Sequence, residues 1–287
     1  MRFDKRRKKF RSILNGDRCV YPGSVFDPIS ARIAEDIGFE IGMFAGSIAS
    51  FTVLGAPDVI VLTLSEFAQQ AQRINRASEL PLMVDADHGY GNALNVKRTV
   101  EELEMAGVSG MSIEDTELPQ PFGSVGSTQL LSISEGIGKM KAALDGRQDP
   151  NLVIAGRTSA LAVTNTEDAL ERAIRYEKVG VDAIFLVGVK TREQLEKISD
   201  AISIPIILGG GGNSDMLDLD YLSAKNVRIC LQGHQPFGAA VKAIYDTMKA
   251  LREGTPTDDL KGIASAELMS KVTKNSDYKN MFDKYLK

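Results

Sequence analysis

Residues 152–187 read LVIAGRTSALAVTNTEDALERAIRYEKVGVDAIFLV, and this stretch decides the fold. It opens on a short apolar run, Leu152–Ala155, and closes on another, Ala183–Val187. Between them, Glu167–Val179 carries helical periodicity. Ala169, Ala173, Ile174 and Tyr176–Val179 share one face, with Asp168, Glu171, Arg172 and Arg175 opposite. Gly180 follows, a residue suited to the left-handed turn that closes a helix. Strands that are apolar throughout, rather than at every second position, belong to a parallel sheet covered on both faces.

The same unit recurs outward in both directions. Further strand-like runs are Arg18–Tyr21, Glu40–Phe44, Leu80–Val84, Gly110–Ile113, Ile204–Leu208 and Arg228–Leu231. Helical periods fall at Ser65–Arg76, Ala93–Ala106, Glu135–Leu144, Arg192–Ile202 and Met216–Lys225. Eight strands alternating with helices, without linker or repeat, predict one (β/α)8 (TIM) barrel over residues 1–287. A doubly wound open sheet is the alternative, because periodicity does not report closure. Residues 1–16 read as an N-terminal helix. Gln235–Arg252 and Ala264–Lys287 read as helices beyond what one barrel needs, so 235–287 is expected to pack on another subunit. The basic run Lys5–Lys9 is expected on the solvated side of the first helix, with Phe3, Phe10, Ile13 and Leu14 on the apolar side. Nucleic acid or an anionic surface is the other reading.

Composition narrows the class. Acids exceed bases by 38 to 34, so no overall positive field attracts nucleic acid. No stretch of 18 apolar residues suggests a membrane span, and no apolar segment near the start resembles a secretory signal. Cys19 and Cys230 match no metal or redox spacing and are expected to pack as small apolar residues in a cytoplasmic protein.

Barrel enzymes carry their chemistry where strands end. The third strand exits through Val84-Asp85-Ala86-Asp87-His88-Gly89-Tyr90-Gly91. Two carboxylates leaving an apolar strand call for a compensating cation, and oxygen ligands completed by water suit Mg²⁺. An Asp that merely fixes a turn is the plainer reading. The fourth strand ends Ile113-Glu114-Asp115, a second pair of acids at the same rim. Arg157, after the fifth, could hold a substrate carboxylate in its planar fork or pair with one of these acids. His234, after the eighth, could donate to a carboxylate, move a proton, or simply pack. Backbone N–H groups at Gly46-Ser47 could cradle an anion, and the Gly209–Gly212 run is a weak phosphate candidate.

Together, Ser24-Val25-Phe26-Asp27-Pro28, Gly46-Ser47, Pro57-Asp58, Asp85–Gly91, Ile113-Glu114-Asp115 and Arg157-Thr158 resemble the isocitrate lyase/phosphoenolpyruvate mutase superfamily over nearly the whole chain. The resemblance implies a (β/α)8 barrel whose eighth helix is exchanged between paired subunits, in a tetramer built as a dimer of dimers. It implies Mg²⁺, with Mn²⁺ as a substitute, bound directly by Asp85 and through water by Asp58, Asp87 and Glu114. The substrate would be a small α-oxo or α-hydroxy acid. Isocitrate-type lyases carry a Lys-Lys/Arg-Cys-Gly-His loop where this chain has Pro119-Gln120-Pro121-Phe122-Gly123-Ser124. The polar gating loop of the phosphonate mutases is absent too.

Asp85–Val96, Leu186-Val187-Gly188-Val189 and Gly233-His234 look most like the branch that decarboxylates oxaloacetate to pyruvate and CO₂ through a metal-stabilised enolate. There Ser47, Arg157 and His234 are implied to contact substrate. A tyrosine expected in that branch after the seventh strand is glycine here, near Gly211. The alternatives are a related lyase or hydrolase acting on a substituted malate or on oxaloacetate, a phosphonate-type mutase, and a non-catalytic barrel that binds a dicarboxylate.

Overall fold

The computed structural model describes residues 3–124, 126–210 and 218–287. Eight parallel strands lie side by side in chain order. They are β1 (Gly23–Ser24), β2 (Gly42–Ala45), β3 (Leu82–Asp85), β4 (Gly110–Glu114), β5 (Val153–Thr158), β6 (Ala183–Leu186), β7 (Ile206–Leu208) and β8 (Val227–Cys230). The sheet closes on itself at Val20. Its N–H donates to the Arg228 carbonyl at 2.9 Å, and its carbonyl accepts from the Cys230 N–H at 3.0 Å. The architecture is a (β/α)8 barrel rather than an open sheet.

The first strand departs from expectation. Arg18–Tyr21 supplies only the bridge at Val20, and β1 begins at Gly23, whose N–H reaches the Ile41 carbonyl at 2.9 Å. Pro22 lies between them without an N–H, so the segment changes ladder partner there. Helices wrap the outside, started by side chains that accept from their first turn. Asp27, Thr63, Asn92, Asn165 and Thr191 do this for Pro28–Asp36, Leu64–Ala77, Ala93–Met105, Thr166–Val179 and Arg192–Ser199. The period expected at Met216–Lys225 is a helix over Leu219–Ala224, and residues 216 and 217 lie outside the described residues.

The N-terminal helix, Asp4–Leu14, seals the lower end of the barrel and corrects the reading of its basic run. Arg6 and Arg7 are buried, not solvated. Arg7 donates to Asp149 Oδ2 at 2.8 Å and to the carbonyls of Val108 and Glu104, while Arg6 pairs with Glu79 at 2.7 Å. Phe10 lies fully buried beneath Gly110, where any Cβ would overlap its ring. Cys19 and Cys230 are buried free thiols, pushed up by that burial to about 12 and about 11.

Past β8, Gln235–Arg252 forms one helix with no buried residue. The second expected helix is split into Ala266–Val272 and Asn275–Tyr285 by Lys274, whose backbone is left-handed at φ 55°. Ala266–Val272 docks on Pro28–Asp36, with Arg32 donating to the Val272 carbonyl at 3.1 Å and Lys271 pairing with Asp36 at 2.7 Å. Among the described residues no helix is long and apolar enough to cross a membrane.

Candidate functional site

A cavity of about 520 Å³ opens at the carboxyl ends of the strands. It gathers residues that the chain scatters across almost 190 positions: Ser47, Asp58, Asp85, Asp87, Glu114, Arg157 and His234. All seven expected site residues therefore meet in one place. Met43, Ile60, Phe185, Val187 and Leu231 supply apolar wall between them.

Strand register explains the polar cluster. Asp85 stands opposite Ser112, and Glu114 stands opposite Arg157, which in turn stands opposite Phe185. Residues directly opposite on neighbouring strands share a face, so all five turn toward the interior. Ser112 Oγ donates to Asp85 Oδ1 at 2.9 Å. Arg157 donates through Nη1 to Asp85 Oδ2, pairs through Nη2 with Glu114 Oε2 at 3.2 Å, and lies over the Phe185 ring at 5.5 Å. Both alternatives for Arg157 are thus served by one position: it faces the cavity and partners the acids. Its Nε–H is buried and has no acceptor among the described residues.

One guanidinium does not neutralise four carboxylates. Burial, reinforced by Asp85, Glu114 and Asp58, raises Asp87 well above the usual carboxylate range. Burial and Asp85 raise Asp58, and burial also raises Glu114 against the pull of Arg157. Among the described residues no three His, Cys, Asp or Glu side chains converge closely enough to ligate one ion directly. The donor set instead fits a hard cation that keeps most of its water, with one carboxylate inside its shell and others on its waters.

The loop carrying the acids is held rigidly. Asp87 and Tyr90 have left-handed backbones, and Asp87's carbonyl accepts from the Glu114 N–H at 2.9 Å. Buried Lys139 donates to the His88 carbonyl at 2.8 Å, and Thr99 donates to that of Gly89 at 3.0 Å. Gly46 has no room for a Cβ, which would overlap the Asp87 carboxylate. The proposed anion cradle at Gly46-Ser47 therefore has a carboxylate of the protein itself packed against it.

Two rim residues turn away. Asp115 is buried outside the barrel wall, accepting from Arg172 Nη1 at 2.9 Å and from the Tyr176 hydroxyl at 2.7 Å. It joins β4 to the helix Thr166–Val179 and does not extend the acid cluster. His88 is also buried beyond the cavity, and burial with nearby Lys139 pushes its imidazole down to about 4. His234 faces the cavity, with Nδ1 2.8 Å from Ser24 Oγ, and burial lowers its pKa. Ser24, Ser112, Lys139 and Phe185 were not singled out as site residues from sequence. Only Ser112 carried a local signal, since it lies two residues before Glu114 and so on the same strand face. Leu118, Pro119 and Gln120 form part of the cavity rim, whereas Phe122 projects into solvent. Gly209 lines the cavity, while Gly211 and Gly212 lie outside the described residues.

A family model described as phosphoenolpyruvate phosphomutase matches residues 10–252. A protein named oxaloacetate decarboxylase from Rhodopseudomonas palustris (strain BisB18) is 59% identical over 274 residues, covering 96% of this chain and 94% of its own. Another of that name from Bradyrhizobium diazoefficiens is 57% identical over 279 residues, covering 97% and 96%. Among solved structures, phosphonopyruvate hydrolase complexed with oxalate and Mg²⁺ superimposes with a TM-score of 0.86 at 25% identity, covering 98% of this chain and 99% of that one. Oxaloacetate acetylhydrolase complexed with 3,3-difluorooxalacetate gives 0.84 at 26% identity, covering 97% and 96%.

Proposed function

This chain belongs to the phosphoenolpyruvate mutase/isocitrate lyase superfamily, and from that premise we propose that it decarboxylates oxaloacetate to pyruvate and CO₂. The observation that carries the reading is the convergence of four carboxylates, Arg157 and His234 in one cavity, in a chain whose near-full-length relatives bear that activity in their names.

In this reading Asp85 would hold Mg²⁺ directly, and Asp58, Asp87 and Glu114 would hold its waters. A bound cation supplies Lewis acidity at the C2 carbonyl, where negative charge develops as CO₂ departs. Arg157 lines the cavity, and its guanidinium would attract a substrate carboxylate. Ser47 also lines the cavity and would offer a hydroxyl. His234 contacts the C4 carboxylate. The C3–C4 bond breaks, its electron pair enters the C2–C3 bond, and a proton later reaches C3 to complete pyruvate. The apolar wall limits water around the developing charge, which strengthens each of these contacts.

The reading includes a homo-oligomer. Val241, Ile244, Tyr245 and Met248 form an exposed apolar stripe at helical spacing on Gln235–Arg252. A second copy of the chain covering that stripe is consistent with an exchanged eighth helix and a tetramer, and with residues 235–287 as packing elements of a single barrel domain. A cytoplasmic setting, where Cys19 and Cys230 stay thiols, completes it.

The deciding experiment incubates purified protein with oxaloacetate and Mg²⁺ and identifies products. Pyruvate and CO₂ in equal amounts, suppressed by EDTA and restored by Mg²⁺ or Mn²⁺, support the proposal. Oxalate plus acetate from oxaloacetate would replace it with a hydrolase. Tight binding of oxalate without turnover would replace it with a binding protein.

A further inference from the structure

Ser24 closes β1, and His234 begins the helix that follows β8. They are 210 residues apart in sequence, yet Ser24 Oγ lies 2.8 Å from His234 Nδ1. We infer that Ser24 is a positioning residue that holds His234 as the tautomer protonated on Nε2, so that the ring presents a hydrogen-bond donor to the cavity. The inference rests on the decarboxylase reading and narrows the role of His234 within it.

The proton can be assigned from the donors and acceptors present. Ser24 Oγ has no hydrogen-bond partner other than Nδ1 among the described residues. Were Nδ1 protonated, it would donate to Oγ, and the serine hydroxyl hydrogen would lack an acceptor in a half-buried place. With the proton on Nε2, the hydroxyl donates to Nδ1 and nothing is left over. A ring nitrogen's protonation follows the hydrogen bond made by the other nitrogen, so this contact selects the tautomer. Nε2 is then the nitrogen left for the cavity, and the negative field of Asp85 favours an N–H directed there.

The chemical consequence is a choice between two roles. A neutral imidazole that gave up its Nε2 proton would become an imidazolate, which is not accessible near neutral pH. His234 therefore does not protonate the enolate; water supplies that proton to C3. An Nε2–H donor instead grips one oxygen of the C4 carboxylate and turns the C3–C4 bond out of the plane of the carbonyl. There the bond's electron pair can flow into the C2–C3 bond as CO₂ leaves.

Two histidines make the test direct, because long-range ¹H–¹⁵N spectra of the full-length protein contain only two imidazole patterns. His234→Gln removes one and assigns it. The wild-type protein is expected to show His234 protonated on Nε2 alone. In Ser24→Ala the pattern should become that of mixed tautomers. kcat/KM for oxaloacetate should fall roughly tenfold while oxalate inhibition, which involves no C4 carboxylate, stays unchanged. Ser24→Thr, which keeps the hydroxyl, should restore both pattern and rate. A wild-type His234 protonated on Nδ1, or on both nitrogens at pH 7, would overturn the inference, as would an unaltered tautomer in Ser24→Ala. If the wild-type chain fails to decarboxylate oxaloacetate, the activity reading fails, yet the tautomer is still read from the same sample.

Discussion

Arg157 stands directly across the β4–β5 ladder from Glu114, with Nη2 3.2 Å from Oε2, while its other arm is given to Asp85. One planar side chain thus spans two strands' acids. Lysine carries the charge but lacks the planar fork that divides it between two acids. Arg157→Lys is expected to lower kcat/KM for oxaloacetate by roughly 10²-fold, read by steady-state pyruvate formation. A loss of less than about threefold would refute a role for the fork.

Asp87 gives a pH prediction for the metal-free protein. Its carboxyl is raised by burial and by Asp85, Glu114 and Asp58, so folding binds a proton there more tightly than the unfolded chain does. From the ordinary carboxylate range, near pH 4, up through the raised value, this group makes stability fall as pH rises. Asp87→Asn removes the effect. In chelator at pH 7 the variant should melt above wild type, each kcal/mol relieved adding about 2–4 °C, and the gap should close toward pH 4. A variant that melts below wild type at pH 7 contradicts this.

Among the described residues His234 is the titratable cavity group outside the acid cluster and Arg157. His234→Ala is expected to lower kcat/KM for oxaloacetate by at least ~10²-fold while oxalate affinity changes much less, because oxalate lacks the C4 carboxylate. Inhibition and turnover measured on one preparation separate the two. Equal losses would assign His234 to shaping the pocket in general.

At the opposite end of the barrel, Arg7 meets Asp149 at 2.8 Å with both side chains almost wholly buried. Arg7→Met leaves that carboxylate without its cation and should cost about 3–5 kcal/mol in chemical denaturation. The folded variant should keep wild-type kcat, since the helix lies away from the cavity. A cost under about 1 kcal/mol would mean that water reaches Asp149.

The exposed stripe on Gln235–Arg252 predicts an assembly. Met248→Glu, at the C-terminal end of that stripe, should shift sedimentation toward a 31.1 kDa species while the wild type runs larger. A monomeric wild type at micromolar concentration would exclude the second copy as its cover.

The strand–helix alternation around 152–187 was legible because a strand's apolar run and a helix's 3.6-residue period are properties of contiguous residues. The acids at 85, 87 and 114 were legible for the same reason: each leaves an apolar strand whose direction the barrel rule fixes. Arg7 was misread because its helix satisfies a solvated pattern equally well. What buries it is Asp149 and the carbonyls of Glu104 and Val108, about a hundred residues or more away.

The sequence by itself therefore determined the barrel class, the superfamily and the rim at which the candidate site lies. Only the tertiary structure decided which rim residues face inward. Glu114 ends β4 and Asp115 follows it directly, and the alternation of an extended chain sends them to opposite sides. Which side is the interior depends on closure at Val20, where β8 meets the start of the chain. The same closure brings Ser24 to His234. Local patterns record how a segment folds, whereas pairing and burial depend on segments that meet only once the ring is shut.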